Sequence, residues 1–207
     1  MARARKNASK AGDRRREQLL ELGLRLFSDR SFADISIDDI AAAAGISRGL
    51  LYHYFRSKRG FYTESVRYAA DQLVASTDTP ATLEPEARMR AGLAAYLDYV
   101  ERYAAAYALL LRGGLGVDPE VAAILEGARE AIVARIVREA PELEASPPVH
   151  AALRGWIHLV EGMSLDWIER RELPRERLIE VFMAALWSIA EAALGDLALA
   201  GAASART

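Results

Sequence analysis

Residues 36–58 read SIDDIAAAAGISRGLLYHYFRSK. Ser36 and Ser47 carry side-chain oxygens that cap helix N-termini, and each stands before a short run of helix formers. Asp39 follows Ser36 by three, in a capping-box-like arrangement. Ile37, Ile40 and Ala41 face inward, and Gly45 closes the run because glycine best tolerates the left-handed conformation past a helix end. Ile46 fills the turn, and the second helix runs from the Ser47 cap to about Tyr54. The stretch predicts two short helices joined by a tight turn, the second presenting basic and aromatic side chains at close spacing.

Outward from this pair the chain reads as helix throughout. Residues 1–12 are polar and small, with Arg3, Arg5, Lys6 and Lys10, and read as a disordered basic arm. It is either a solvated tail or a reach toward nucleic acid. Asp13 is the expected cap of a helix whose apolar face is Leu19, Leu20, Leu22, Leu24, Leu26 and Phe27, ending near 29–31. Ser57 caps a further helix to about residue 76, and residues 76–82 are a connector. One long helix is expected over 84–112, stopped by Gly113 and Gly114. Asp118-Pro119 pairs a cap with a proline at the first helical position and opens a helix to about 139. Residues 141–148 connect to a helix capped by Ser146 and ending near 170, and 171–174 turn into a last helix ending near Gly195. No segment alternates as a strand would, and no internal repeat is found. The expected fold is all-α, about nine helices, divided into an arm (1–12), a helix-turn-helix unit (13–60, with the helix from 57 linking onward), a helical body (61–197) and a flexible tail (198–207).

The 207 residues are 52% hydrophobic, enough for a packed core, and contain no cysteine. That excludes disulfides and thiolate metal sites and suits a reducing cytoplasm. The longest apolar run, 181–190, stops at Glu191, short of the roughly 20 residues that span a membrane. The basic N-terminus has no apolar segment behind it, so it does not read as a secretory signal. Charge is unevenly placed. Residues 1–60 hold 13 Lys/Arg against 7 Asp/Glu, a net of +6, and residues 61–207 hold 14 against 22, a net of −8. A positive quarter on an acidic body suits a polyanion met at one end.

A helix-turn-helix braces with its first helix and places its second in the major groove of DNA. Ser47 and Gly49 suit the phosphate-facing start of that second helix, where free N–H groups and the helix dipole attract an anion. Arg48 can pair with guanine, Leu50 can meet a thymine methyl, Tyr52 and Tyr54 offer hydroxyls to phosphate, and Lys58 offers a point charge. A hairpin that merely packs accounts for the apolar positions but not for Arg48, Tyr52, Tyr54 and Lys58 on one side.

These residues resemble the tetracycline-repressor (TetR) family of transcriptional regulators. Its pattern runs roughly T-hydrophobic-x-x-I-A-x-x-A-G-V-S-x-G-x-L-Y-x-H-F-x-x-K. Ser36 stands for the threonine, Ile40-Ala41 for I-A, and Ala44-Gly45-Ile46-Ser47 for A-G-V-S, while Gly49, Leu51-Tyr52, Phe55 and Lys58 match outright. Tyr54 departs from the usual histidine, and Ser31 from the usual glycine after the first helix. The match covers about residues 14–62. It implies phosphate contacts from Ser36, Tyr52, Tyr54 and Lys58, groove contacts from Arg48, Gly49, Leu50 and His53, and a core role for Leu51 and Phe55. It further implies a homodimer on a palindromic double-stranded operator and a C-terminal domain that binds a small-molecule inducer.

The body must supply that cavity and that interface. Tyr96, Tyr99, Tyr103 and Tyr107 share one face of the expected long helix, and Trp156, Val160, Met163 and Trp167 repeat on a later one. Such stripes are either ordinary core or the wall of a pocket for a mostly apolar ligand. The expected pocket residues are Tyr96, Tyr99, Tyr103, Tyr107, Trp156, Met163 and Trp167. The last two helices are apolar over a wide arc that includes Leu153, Ile157, Val160, Phe182, Leu186, Trp187 and Ile189, so a partner subunit is expected to cover one side. The expected interface residues are Leu153, Ile157, Val160, Phe182, Leu186 and Ile189, with Gly155, Gly162, Ala184, Ala185, Ala192 and Ala193 permitting close approach. His158 and Glu161 are spaced for a hydrogen-bonded pair or a weak metal site, but a third ligand is lacking, and a satisfied structural histidine is the simpler reading. The glycines of 113–116 follow no strand and read as a helix connection. No nucleophile–base pair, metal cluster or carboxylate pair stands at motif spacing, so no enzyme activity and no cofactor are expected. The expected function is a ligand-released DNA-binding repressor in the cytoplasm. The alternatives are a dimeric regulator without effector or acting as an activator, and, more remotely, a helical carrier or enzyme.

Overall fold

The computed structural model describes residues 2–30, 32–112, 118–139 and 147–204. Among them are nine α-helices and no strand: α1 (Ala2–Asp29), α2 (Ile37–Ala44), α3 (Arg48–Tyr54), α4 (Lys58–Ser76), α5 (Pro85–Arg102), α6 (Ala104–Arg112), α7 (Pro119–Glu139), α8 (Pro147–Arg170) and α9 (Arg175–Ser204). Ser31, the glycines of 113–116 and the connector with its Ser146 cap lie outside the described residues.

Local chemistry sets most helix starts. The Ser36 hydroxyl accepts from Asp39 N–H at 3.0 Å, and the Asp39 carboxylate accepts from Ser36 N–H at 2.8 Å, closing the capping box. Gly45 ends α2 at φ +63°, where any side chain would be strained. Asp118 Oδ1 accepts from Glu120 N–H at 3.0 Å ahead of Pro119. Ser57 Oγ accepts from Gly60 N–H at 2.9 Å at the start of α4.

Three boundaries differ from the sequence reading. The arm is helical, since α1 begins at Ala2 rather than at Asp13. Alanine, arginine and lysine dominate 2–11, and all are strong helix formers. The expected long helix is two, α5 and α6, parted at Tyr103. No glycine or proline marks the break; α5 packs on α8 and α9 while α6 packs on α1. The last helix passes Gly195 and continues to Ser204, because leucine and alanine resume helix formation after the glycine. The part of the expected flexible tail over 198–204 is therefore helical.

Two compact units divide the chain, and neither follows the expected boundary at residue 60. The first takes the described residues of 1–72 and 103–125. Its core joins Leu19, Leu20 and Phe27 of α1, Ile40 and Ala41 of α2, Leu51 of α3, Phe55 and Phe61. Gly23 lets α1 and α4 approach, for a Cβ there would stand 2.2 Å from Ser65 Oγ. The second takes 73–102 and 126–207, with α5 and the greater part of α7 beside α8 and α9. Leu97, Val100, Val133, Leu153, Leu178 and Phe182 are fully buried there.

Candidate functional site

In the first unit, α3 is a seven-residue helix pinned by two side chains. Leu51 is fully buried and Phe55, just past its end, is 1% exposed. Its cap is regular, with Ser47 Oγ accepting from Leu50 N–H at 3.2 Å. Everything opposite faces water: Ser47, Arg48, Gly49, Leu50, Tyr52 and His53 are exposed. Leu50 at 41% and Tyr52 at 44% are among the few large hydrophobics left outside. Nothing in the fold of this unit requires them there.

The polar groups around this face are held in place. Arg48 Nε meets Asp38 Oδ1 of α2 at 3.1 Å. Ser36 is exposed, but its hydroxyl serves the capping box. Hydrogen bonds from the Ser36 backbone and hydroxyl, with Arg30 nearby, hold the exposed Asp39 carboxyl below the usual carboxylate range. Tyr54 is half-buried against the core, its ring 5.8 Å from His53 and 6.1 Å from Phe55. Lys58 is also half-buried, with Nζ donating to Ile35 O at 2.6 Å and lying 4.2 Å over the Phe32 ring. Thus Arg48, Gly49, Leu50, Tyr52 and His53 form one open surface, while Tyr54 and Lys58 sit lower at its border.

Two positioning residues escaped the sequence reading. Arg15 of α1 donates to the Ala44 carbonyl at 2.9 Å, satisfying a C-terminal carbonyl of α2. Arg16 lies 5.4 Å over the Phe55 ring and pairs with Glu64. Their pattern in sequence is that of a solvated basic helix, so only the packing reveals them.

The second unit holds a cavity of about 80 Å³ among α4, α5, α7 and α8. Its wall is largely apolar, with Leu73, Met89, Leu93, Ile132, Ile136, Trp156, Ile157 and Val160. Thr77, Thr79, Arg88, Tyr96, Arg135 and Glu161 add polar groups. Of the expected pocket residues, Tyr96 and Trp156 line it. Met163 and Trp167 line a different hollow of about 230 Å³ beside Leu173 and Leu178. Tyr99, Tyr103 and Tyr107 line neither, because the helix break carries Tyr103 and Tyr107 into the first unit.

The expected interface residues also need correction. Leu153, Ile157, Val160, Phe182 and Leu186 are buried within the single chain, and only Ile189 is partly open. They are core, and Ile157 and Val160 face the cavity. The exposed arc of α8 and α9 instead carries Gly155, Gly162, Ala184, Ala192 and Trp187, the last 49% exposed. His158 Nδ1 does reach Glu161 Oε2 at 3.3 Å, but Glu161 is chiefly bound by Arg129 at 3.0–3.2 Å. No metal-binding cluster occurs among the described residues, and none of their helices is long and apolar enough to cross a membrane.

A family model described as the tetracyclin repressor-like C-terminal domain matches residues 85–189, and one described as bacterial regulatory proteins of the tetR family matches 19–64. The chain belongs to the TetR family of transcriptional regulators. A crystal structure of a TetR-family regulator from Streptomyces coelicolor is 30% identical, covering 94% of this chain and 99% of that one at a TM-score of 0.71. The transcriptional activator FasR of Mycolicibacterium smegmatis is 33% identical over 58% of this chain and 55% of its own. The regulator EthR of Mycobacterium tuberculosis is 33% identical over 47% of each. The chain thus spans about half the length of these two relatives. The TetR helix-turn-helix match covers α2 and α3, where the open surface lies.

Proposed function

We propose that this TetR-family protein is a homodimeric transcription regulator that reads a palindromic operator with α3 and releases it when a small ligand enters the cavity. The observation that carries this reading is the face of Arg48, Gly49, Leu50, Tyr52 and His53, left open over the buried Leu51 and Phe55. Arg48 serves base reading, Leu50 an apolar groove contact and Tyr52 a phosphate. Ser36, Tyr54 and Lys58 add contacts at the border, Lys58 with the donors not spent on Ile35. The working compartment is the cytoplasm, where the DNA is.

The dimer forms through the outer sides of α8 and α9. Trp187 is the anchor, and Gly155 and Gly162 allow close approach. A Cβ at either glycine would meet nothing within 4 Å in the single chain, so their smallness serves no packing there. Coupling needs about 1–3 kcal/mol between the two conformers of the regulator. Helix α4 is the covalent link, with Phe61 in the core of the first unit and Leu73 on the cavity wall of the second.

A second reading, activation instead of repression, is favoured by the name of the FasR relative. A promoter fused to a reporter separates the two by the sign of its response. The DNA assignment is tested with a bound duplex titrated against salt. Tyr52→Ala should weaken binding and lower the salt slope by about one phosphate contact. Unchanged affinity and slope would remove α3 from the interface.

A further inference from the structure

We propose that the cavity takes a ligand with an anionic carboxylate head on a short apolar body, the head held by Arg135 and Arg88. This rests on the reading of the cavity as the ligand site.

The charge of the wall carries the argument. Arg135 Nη1 donates to Val74 O at 3.1 Å and Nη2 to Thr77 Oγ1 at 2.5 Å. Both acceptors are neutral, and among the described residues no carboxylate pairs with Arg135. The guanidinium is therefore fixed in direction but not neutralised, beside a wall of leucine, isoleucine and tryptophan. A full charge at an apolar cavity gains by meeting an opposite one. Glu161 is the carboxylate on this wall, and Arg129 already holds it through three hydrogen bonds. Arg88 lines the same cavity from α5, one Nη2 bond going to Ala81 O at 2.9 Å. Gly92 keeps this end tight, since a Cβ there would stand 3.4 Å from the Thr77 carbonyl.

The remaining wall sets the body. Trp156 Nε1 donates to Phe182 O at 2.8 Å, so the indole offers the ligand apolar surface only. The volume of about 80 Å³ is smaller than the roughly 150 Å³ apolar cavity that holds benzene, which limits the body to a few carbons.

Calorimetry on the full-length protein at neutral pH tests this, with butanoate, hexanoate and octanoate beside their primary amides. At one chain length the acid should bind at least about tenfold tighter than its amide, as a charge-assisted bond does. Added salt should weaken the acid alone. Arg135→Gln, and separately Arg88→Gln, should bring acid and amide together. Equal binding of acid and amide by the unaltered protein overturns the anionic head while keeping the cavity. Binding of neither, at any length, overturns the cavity as the ligand site.

Discussion

Arg48 Nε lies 3.1 Å from Asp38 Oδ1, tying the first residue of α3 to the second of α2. The side chains are 61% and 65% exposed, so the pair contributes little to folding. Its weight falls on DNA, because Asp38 both aims Arg48 and repels phosphate. Asp38→Ala should leave thermal stability within about 0.5 kcal/mol. It should raise affinity for arbitrary duplex about fivefold, as a surface charge interaction of about 1 kcal/mol allows. Arg48→Ala should lose about 1–3 kcal/mol of discrimination against altered half-sites. Fluorescence anisotropy on specific and scrambled duplexes reads both changes, and identical isotherms for all three proteins would dismiss the pair.

The capping box at Ser36 makes a stability prediction with a pH signature. Ser36→Ala should cost about 1 kcal/mol in urea unfolding. Asp39 has a folded-state pKa below its ordinary 3.8, from the Ser36 bonds first. The unfolded chain therefore binds the proton more readily, and stability falls as pH drops from about 4. In Asp39→Asn that part of the acid loss should be missing. Parallel stability–pH curves for the two proteins would show that the box carries no linkage.

Gly23 should not tolerate a methyl group. Alanine improves helix propensity by about 1 kcal/mol, but its Cβ would stand 2.2 Å from Ser65 Oγ and 2.9 Å from the Phe61 ring. Both neighbours are buried, so crowding wins, and Gly23→Ala should be net destabilising by about 1–3 kcal/mol. A higher melting temperature for the variant would contradict the close approach of α1 and α4.

Trp187 is the residue on which association depends. Trp187→Glu should convert the dimer to monomer in analytical ultracentrifugation while helix content by circular dichroism stays constant. Palindromic DNA binding should weaken with it, since paired half-sites need two recognition helices. A dimer unchanged by this substitution would move the interface elsewhere.

What could be read from sequence is what depends on near neighbours. The caps at Ser36, Ser47 and Asp118 are each settled by a side chain reaching backbone within three residues. The open face of α3 was legible for the same reason, being a short motif at fixed spacing. The break at Tyr103 was not, because its two sides answer to different cores. Nor could an apolar arc separate a chain's own core from its partner's: Leu153, Phe182 and Leu186 proved internal, and Trp187 on the same arc lies open. Arg135 looked like any solvated arginine until its acceptors placed it on the cavity wall.

Selection of bound duplexes from a random pool tests the central claim most directly. The account predicts enrichment of one palindrome whose half-sites lie about one helical turn, roughly 34–36 Å, or a multiple of it apart. It also predicts that Arg48→Ala and Tyr52→Ala lose that enrichment while remaining folded. A pool with no enriched motif, or the same palindrome recovered equally well by both variants, would contradict it.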